Sequence, residues 1–223
     1  MEICRSEKGA AIQPVGNDIV DLLSPGNREK YRDRRFKNRV FTSGEQDRLD
    51  KSDDPDRLLW SFWTAKETAY KILVKTAPKV KAIPCQYDVL FTGEIGVDSI
   101  LPGIVSCPWG MVTVRLFSLD SYLHCVGTAG REKDLKGIVH GVSPIGSMEE
   151  GGNAESTAVR RILTEELAHE LGVAVERLSV IRLQESKGLR YPVLLLDGRP
   201  MPLDISISHD GGFAAFARTR HLF

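Results

Sequence analysis

The chain has 223 residues, 42% hydrophobic and 27% charged, and its 30 Lys and Arg are matched by 30 Asp and Glu. That is enough chain to bury a core as one large domain or two small ones. The balanced charge excludes a global field of the kind that gathers nucleic acid or an anionic membrane, so any charged partner must meet a local patch. No stretch approaches the ~20 apolar residues of a membrane span. Met1–Ala10 carries Glu2, Arg5, Glu7 and Lys8 in place of an apolar signal run. Cys4, Cys85, Cys107 and Cys125 form no C-x-x-C pair, and scattered thiols suit a cytoplasmic protein.

From Ala11 to Leu23 the sequence predicts a strand, interrupted near its start by Pro14 and Gly16. Alternation puts Asp18 on one face with Gly16 and Val20, and Asp21 on the other. A buried acid there needs a hydrogen-bond donor or a cation. After the Pro25-Gly26 turn come Arg28, Lys30, Arg32, Arg34, Arg35, Lys37 and Arg39. Such a run is a solvated surface or a docking site for something acidic. Thr42-Ser43-Gly44-Glu45 has the form of a capping box and predicts a short helix over Ser43–Leu49. Asp54-Pro55 supplies an N-cap and first-turn proline for a long helix ending near Lys75–Ala77, before Pro78.

That long helix has two faces. Leu58, Phe62, Ala65, Ala69, Ile72 and Leu73 make an apolar one, while Trp63, Lys66, Glu67, Tyr70 and Lys71 share a second arc of about 140°. In isolation, Glu67 and Lys71 read first as an i,i+4 pair on a solvated surface.

Gln86–Thr92, Met111–Leu119 and Tyr122–Thr128 follow as predicted strands, the last two joined near Asp120-Ser121. This first unit, a helix over an antiparallel sheet, closes near residue 136. Residues 137–156 are rich in Gly, Ser, Pro and Asn and predict a linker or mobile loop. A second unit, 157–223, holds a helix over Ala158–Leu171 with Gly172 as its C-cap. Its strands are Leu178–Leu183, Tyr191–Leu196, Leu203–His209 and Phe213–Arg218, with turns at Asp197-Gly198 and Asp210-Gly211-Gly212. The expected fold is α+β, two similar halves that each pack a long helix on a small antiparallel sheet. His209, at a strand end beside a turn, is a capped structural residue or a ligand-binding one. No glycine-rich phosphate loop supports a P-loop kinase.

Gly16-Asn17-Asp18-Ile19-Val20-Asp21, Trp63-x-x-Lys66-Glu67-Thr68-x-x-Lys71 and Ser206-Ile207-Ser208-His209-Asp210-Gly211 together resemble the 4′-phosphopantetheinyl transferase superfamily. The length is similar to that of its double-length members, monomeric pseudo-dimers with one site between two halves, here with the halves in swapped order. The resemblance implies transfer of 4′-phosphopantetheine from coenzyme A to a serine of an apo acyl or peptidyl carrier protein, with Mg²⁺, releasing 3′,5′-ADP. It implies Asp18 and Glu67 as metal ligands, with Val20 where many members carry a third acid. It further implies Lys71 and Lys66 at the phosphates, Glu67 as proton acceptor, and Ser208, His209, Arg199 and Arg160 as the grip on coenzyme A. Arg34, Arg35 and Arg39 become the docking surface for an acidic carrier protein. The other reading is a non-catalytic member that holds coenzyme A or a carrier without transfer.

Overall fold

The computed structural model describes residues 12–77, 80–145, 154–184 and 190–220. The first half runs β1 (Val15–Asp21), α1 (Arg34–Val40), α2 (Ser43–Leu49), α3 (Pro55–Thr76), β2 (Asp88–Phe91), β3 (Ser99–Cys107), β4 (Gly110–Ser118) and β5 (Tyr122–Thr128). Its strands form one antiparallel sheet in the order β1-β5-β4-β3-β2. The second half runs β6 (Ile138–Pro144), α4 (Ala154–Leu171), β7 (Leu178–Gln184), β8 (Arg190–Leu196), β9 (Arg199–Pro200), β10 (Ile205–Asp210) and β11 (Phe213–Thr219). The fold is α+β, each half setting a long helix against antiparallel strands.

The second half repeats the first. β6-β11-β10 stands as β1-β5-β4 does, and β8-β7 as β3-β2, but hydrogen bonding breaks between β10 and β8 and leaves two three-stranded sheets. The registers coincide: Val15 opposes Thr128 where Ile138 opposes Thr219. Residues 138–144, expected within a linker, are thus the first strand of the second half. Their Gly, Ser and Pro content hides an alternation that only pairing with β11 makes stable. Residues 146–153 of that expected linker, Cys4 and Met1–Ala10 lie outside the described residues. β3 also escaped the sequence reading, since Pro102 and Gly103 break its pattern, yet both are tolerated in a strand whose neighbours β2 and β4 supply the pairing.

Local signals set the helices. Asp54 Oδ1 accepts from Arg57 N at the start of α3, and the Thr42–Glu45 capping box opens α2. The apolar face of α3 (Phe62, Ala65, Ala69, Ile72) packs on Val105, Val114, Leu116 and Cys125. In the second half, Leu163 and Leu167 of α4 cover Leu178, Leu194, Ile205 and Phe216. A third, smaller core of Val15, Val126, Ile138 and Ala217 joins the two halves. Gly16 is required where α3 crosses β1, because a Cβ there would lie 2.4 Å from Thr68 O and 2.7 Å from Ile72.

The seam between the halves decides the site. β1 is an edge strand, and its outward-facing N–H groups are closed by side chains of β10. Val15 N–H donates to Asp204 Oδ2 at 2.7 Å, Asn17 N–H to Ser206 Oγ at 3.0 Å and Asp21 N–H to Asp210 Oδ2 at 2.8 Å. Those acceptors alternate along one face of β10. The outward carbonyls are met from α3, Lys75 Nζ reaching Val15 O at 2.7 Å and Lys71 Nζ reaching Asn17 O at 2.9 Å. An unpaired edge is thereby satisfied without a further strand.

Candidate active site

Four predicted residues are drawn together at this seam. Asp18 projects from β1 toward α3, where its Oδ1 accepts from Lys71 Nζ at 2.7 Å. Burial pushes the Asp18 carboxyl up despite the pull of Lys71, and Asp210 on β10 pushes it further. Glu67, one turn before Lys71, is half-buried; burial first and then the charge of Asp18 raise its carboxyl to about 7. Asp210 is itself raised, by burial and in part by Asp21 and Glu155. Glu155 Oε2 in turn sits 2.8 Å from His209 Nδ1. A continuous electrostatic path thus runs from Glu67 through Asp18, Asp210 and Glu155 to His209, bringing the first turn of α4 to the carboxylates of the other half.

Such a cluster has an excess of negative charge. Two carboxylates whose ionised forms are disfavoured by burial and by each other suit a hard divalent cation, which relieves both effects through oxygen ligands. Asp18 and Glu67 are the residues that could hold it. Among the described residues no group of three or more His, Cys, Asp and Glu side chains converges as a metal cage. Val20, at the position of a third acid, is buried in the core at 3% exposure. Lys71 uses two N–H bonds, on Asn17 O and Asp18, and keeps a third for an anion.

Lys66 is not part of this group. Its ammonium is buried, bonded to Glu45 Oε2 at 2.5 Å, Val40 O at 2.8 Å and Pro84 O at 3.0 Å. All three protons are used, and the lysine ties α1, α2 and the segment after α3 to the long helix. The shared arc of Trp63, Lys66, Glu67, Tyr70 and Lys71 therefore has two separate uses. Trp63 packs on Phe36, their ring centroids 5.7 Å apart, on the Lys66 side. Tyr70 stays near Glu67, whose charge adds to the upward push of burial on its phenol.

Ser208 and His209, adjacent in sequence, face opposite sides of β10. Ser208 is buried and its Oγ accepts from Asn17 Nδ2 at 2.8 Å, while His209 lies against α4. Arg160, on α4, bonds Ser156 O at 2.7 Å and Ser156 Oγ at 2.5 Å. Burial and the charge of Arg182 lower its guanidinium. Arg199 is exposed on β9 beside Asp197, with no contact to Asp18, Glu67 or Lys71. The basic run divides in two: Lys30, Arg32 and Lys37 are paired with Asp33, Glu29 and Asp50. Arg34, Arg35 and Arg39 are exposed and unpaired among the described residues.

Sequence reasoning missed Asp21 and Asp210 as a clamp. The Asp21 carboxylate accepts Leu23 N–H and Gly212 N–H at 2.8 and 2.9 Å, while Asp210 accepts Asp21 N–H and Asn27 Nδ2. Each acid holds the other's strand. Gly211 makes the approach possible, having φ +52° and a Cβ position only 2.3 Å from Asp21 Oδ2. The two aspartates were visible in their motifs; that they face each other is a tertiary fact. Lys75, bonded to Asp204 at 2.7 Å across the same seam, gave no sequence signal beyond its four-residue spacing from Lys71.

Residues 14–87, about a third of the chain, match the family model of the 4′-phosphopantetheinyl transferase superfamily. That segment is what the chain shares with the superfamily. The matched stretch holds Asp18, Glu67 and Lys71, so the similarity to the superfamily and the observed cluster rest on the same residues. The solved structures include a similar one, Thermotoga maritima holo-[acyl-carrier-protein] synthase, at 14% identity over 85% of each chain with a TM-score of 0.38. No curated protein matches the chain. Among the described residues no helix is long and apolar enough to cross a membrane.

Proposed function

We propose that this protein transfers 4′-phosphopantetheine from coenzyme A to a serine of an apo acyl or peptidyl carrier protein, with Mg²⁺, releasing 3′,5′-ADP. The observation that carries the reading is the meeting of buried Asp18 and half-buried Glu67 with Lys71 at the seam between halves. The serine oxygen forms a bond to the phosphorus bearing the pantetheine arm. The bond from that phosphorus to the bridging oxygen breaks, and its electron pair leaves with 3′,5′-ADP. Glu67, whose carboxyl is raised to about 7 in the cation-free protein, takes the serine proton. Asp18 and Glu67 would hold Mg²⁺, which would supply charge neutralisation for the pyrophosphate. The remaining proton of Lys71 meets the negative charge that builds there.

His209, Arg160 and Arg199 grip coenzyme A, a guanidinium fork suiting the paired oxygens of a phosphate. Ser208 acts through Asn17 as a positioning residue. Arg34, Arg35 and Arg39, exposed and without internal partners, receive the acidic face of the carrier. Lys66 we assign to the scaffold.

Incubation with coenzyme A, Mg²⁺ and apo-carrier proteins should add the mass of one phosphopantetheine arm, and Asp18→Ala or Glu67→Ala should abolish the gain. Coenzyme A binding with no mass gain on any carrier would instead establish a non-catalytic member. Charge reversal at Arg34, Arg35 and Arg39 should raise the carrier KM in a salt-dependent way and leave the coenzyme A KM unchanged; an unaltered carrier KM removes these residues from the interface.

A further inference from the structure

The duplication creates a second cleft. Three residues after the matched pairs Val15–Thr128 and Ile138–Thr219, Gly141 occupies in the second half the place of Asp18. Likewise Val114–Gly127 corresponds to Ile205–Arg218, so Phe117 and Ser118 on β4 stand where Ser208 and His209 stand on β10. These very residues, Phe117, Ser118 and Gly141, line a cavity of about 450 Å³ between β4 and β6. Its chemistry is the reverse of the first site. No Lys or Arg lines it and Asp98 is its one carboxylate. Its wall is aromatic: the Phe117 ring lies 4.7 Å from His140 and 6.0 Å from His124, with the two imidazoles 5.4 Å apart. Burial takes the His124 imidazole down to about 3, while desolvation against the cavity wall and the charge of Arg115 lower that of the more exposed His140.

The strand edge differs too. Ile145 N–H donates to Gly212 O and Arg220 N–H to Gly137 O, so alternation turns residues 139, 141 and 143 toward β11 and the even residues outward. No side chain of the described residues closes this edge as β10 closes β1. Among the described residues the outward N–H and C=O of His140 and Val142 have no partner. At one end Ile138 N–H is bonded to Leu135 O, and at the other Pro144 has no N–H. The open edge is therefore two residues long, too short for an added peptide strand, and the absent cations disfavour a phosphate.

We propose that this cleft binds an uncharged planar heteroaromatic group of the purine kind, stacked on Phe117 and His140 and hydrogen-bonded at its edge to the backbone of His140 and Val142. The volume is that of a small-molecule site with an apolar wall and few convergent polar groups. The assignment does not depend on the transfer reaction.

The probe is adenosine, titrated into the ¹⁵N-labelled full chain, with 3′,5′-ADP in parallel. Adenosine should give saturable shifts at the His140 and Val142 amides and at the His124 and His140 rings, with Asp18 and Glu67 unmoved. Ile100→Trp, at a 62% exposed position on the cavity wall, should weaken that response about tenfold or more by filling the space. His140→Ala should weaken it also, both variants melting as the parent does. No saturable shift, shifts confined to Asp18 and Glu67, or an undiminished response in both variants would overturn the proposal. So would an extended peptide that shifts all of 138–144 where adenosine shifts nothing.

Discussion

Glu67 and Lys66 are neighbours with opposite roles, and the difference is one of partners. The Glu67 carboxyl is raised from 4.5 to about 7 by burial and by Asp18. A raised acid contributes stability that is fully present below its unfolded pKa and is lost as pH climbs through the folded one. Glu67→Gln should therefore stabilise the cation-free protein by on the order of 2 kcal/mol at pH 8 and by nearly nothing at pH 4, read from urea unfolding. Divalent cation affinity should rise with pH through about 7 as the competing proton leaves, and Glu67→Gln should abolish that slope. Lys66→Met should leave Glu45 buried without its cation and cost about 3–5 kcal/mol. Adding Glu45→Gln should recover part of that loss. Lys71→Met should cost less than Lys66→Met, because the Lys71–Asp18 pair keeps more solvent contact than Lys66–Glu45, while losing transfer.

At the scale of elements, β1 is the strand on which the site depends. Its inner side crosses α3 at Gly16, its outer edge is closed by alternate side chains of β10, and its end is clamped by Asp21 and the β10–β11 turn. Gly211→Ala should cost at least about 1–2 kcal/mol, from the left-handed backbone alone, and the collision with Asp21 should push the halves apart. Transfer should fall further than for Gly26→Ala, where a Cβ meets nothing within 4 Å. Equal activity in the two variants would show that the clamp does not position the site.

Across the whole molecule, duplication has produced one charged seam and one neutral one. In the second half Glu166 and Glu170, spaced as Glu67 and Lys71 are, both accept from Arg218 Nη2, 2.8 Å from Glu166. Arg218 is wholly buried and its Nε has no partner among the described residues. A guanidinium thus neutralises the acids of α4, where α3 leaves Glu67 beside Asp18. Arg218→Met should cost about 1–3 kcal/mol, less than Lys66→Met, because both glutamates stay partly solvated. Equilibrium unfolding of the two variants compares them directly.

The sequence by itself determined α2, α3 and α4, the hairpins, the repeat of a helix-and-sheet unit and the motifs holding Asp18, Glu67 and Lys71, because caps, turns and periodicity act over a few residues, whereas α1 was hidden within the basic run. It did not reveal β3 or β6, whose Pro and Gly obscure the alternation until neighbouring strands supply hydrogen bonds. Nor did it part Lys66 from Glu67, since one arc of a helix can face two different neighbours. Tertiary structure alone decided that Ser208 turns to Asn17 while His209 turns to Glu155, that Asp21 and Asp210 grip each other's strands, and that one seam gathers charge while the other excludes it. Those outcomes depend on the docking of the halves, which sets burial and charge proximity between residues up to 191 positions apart.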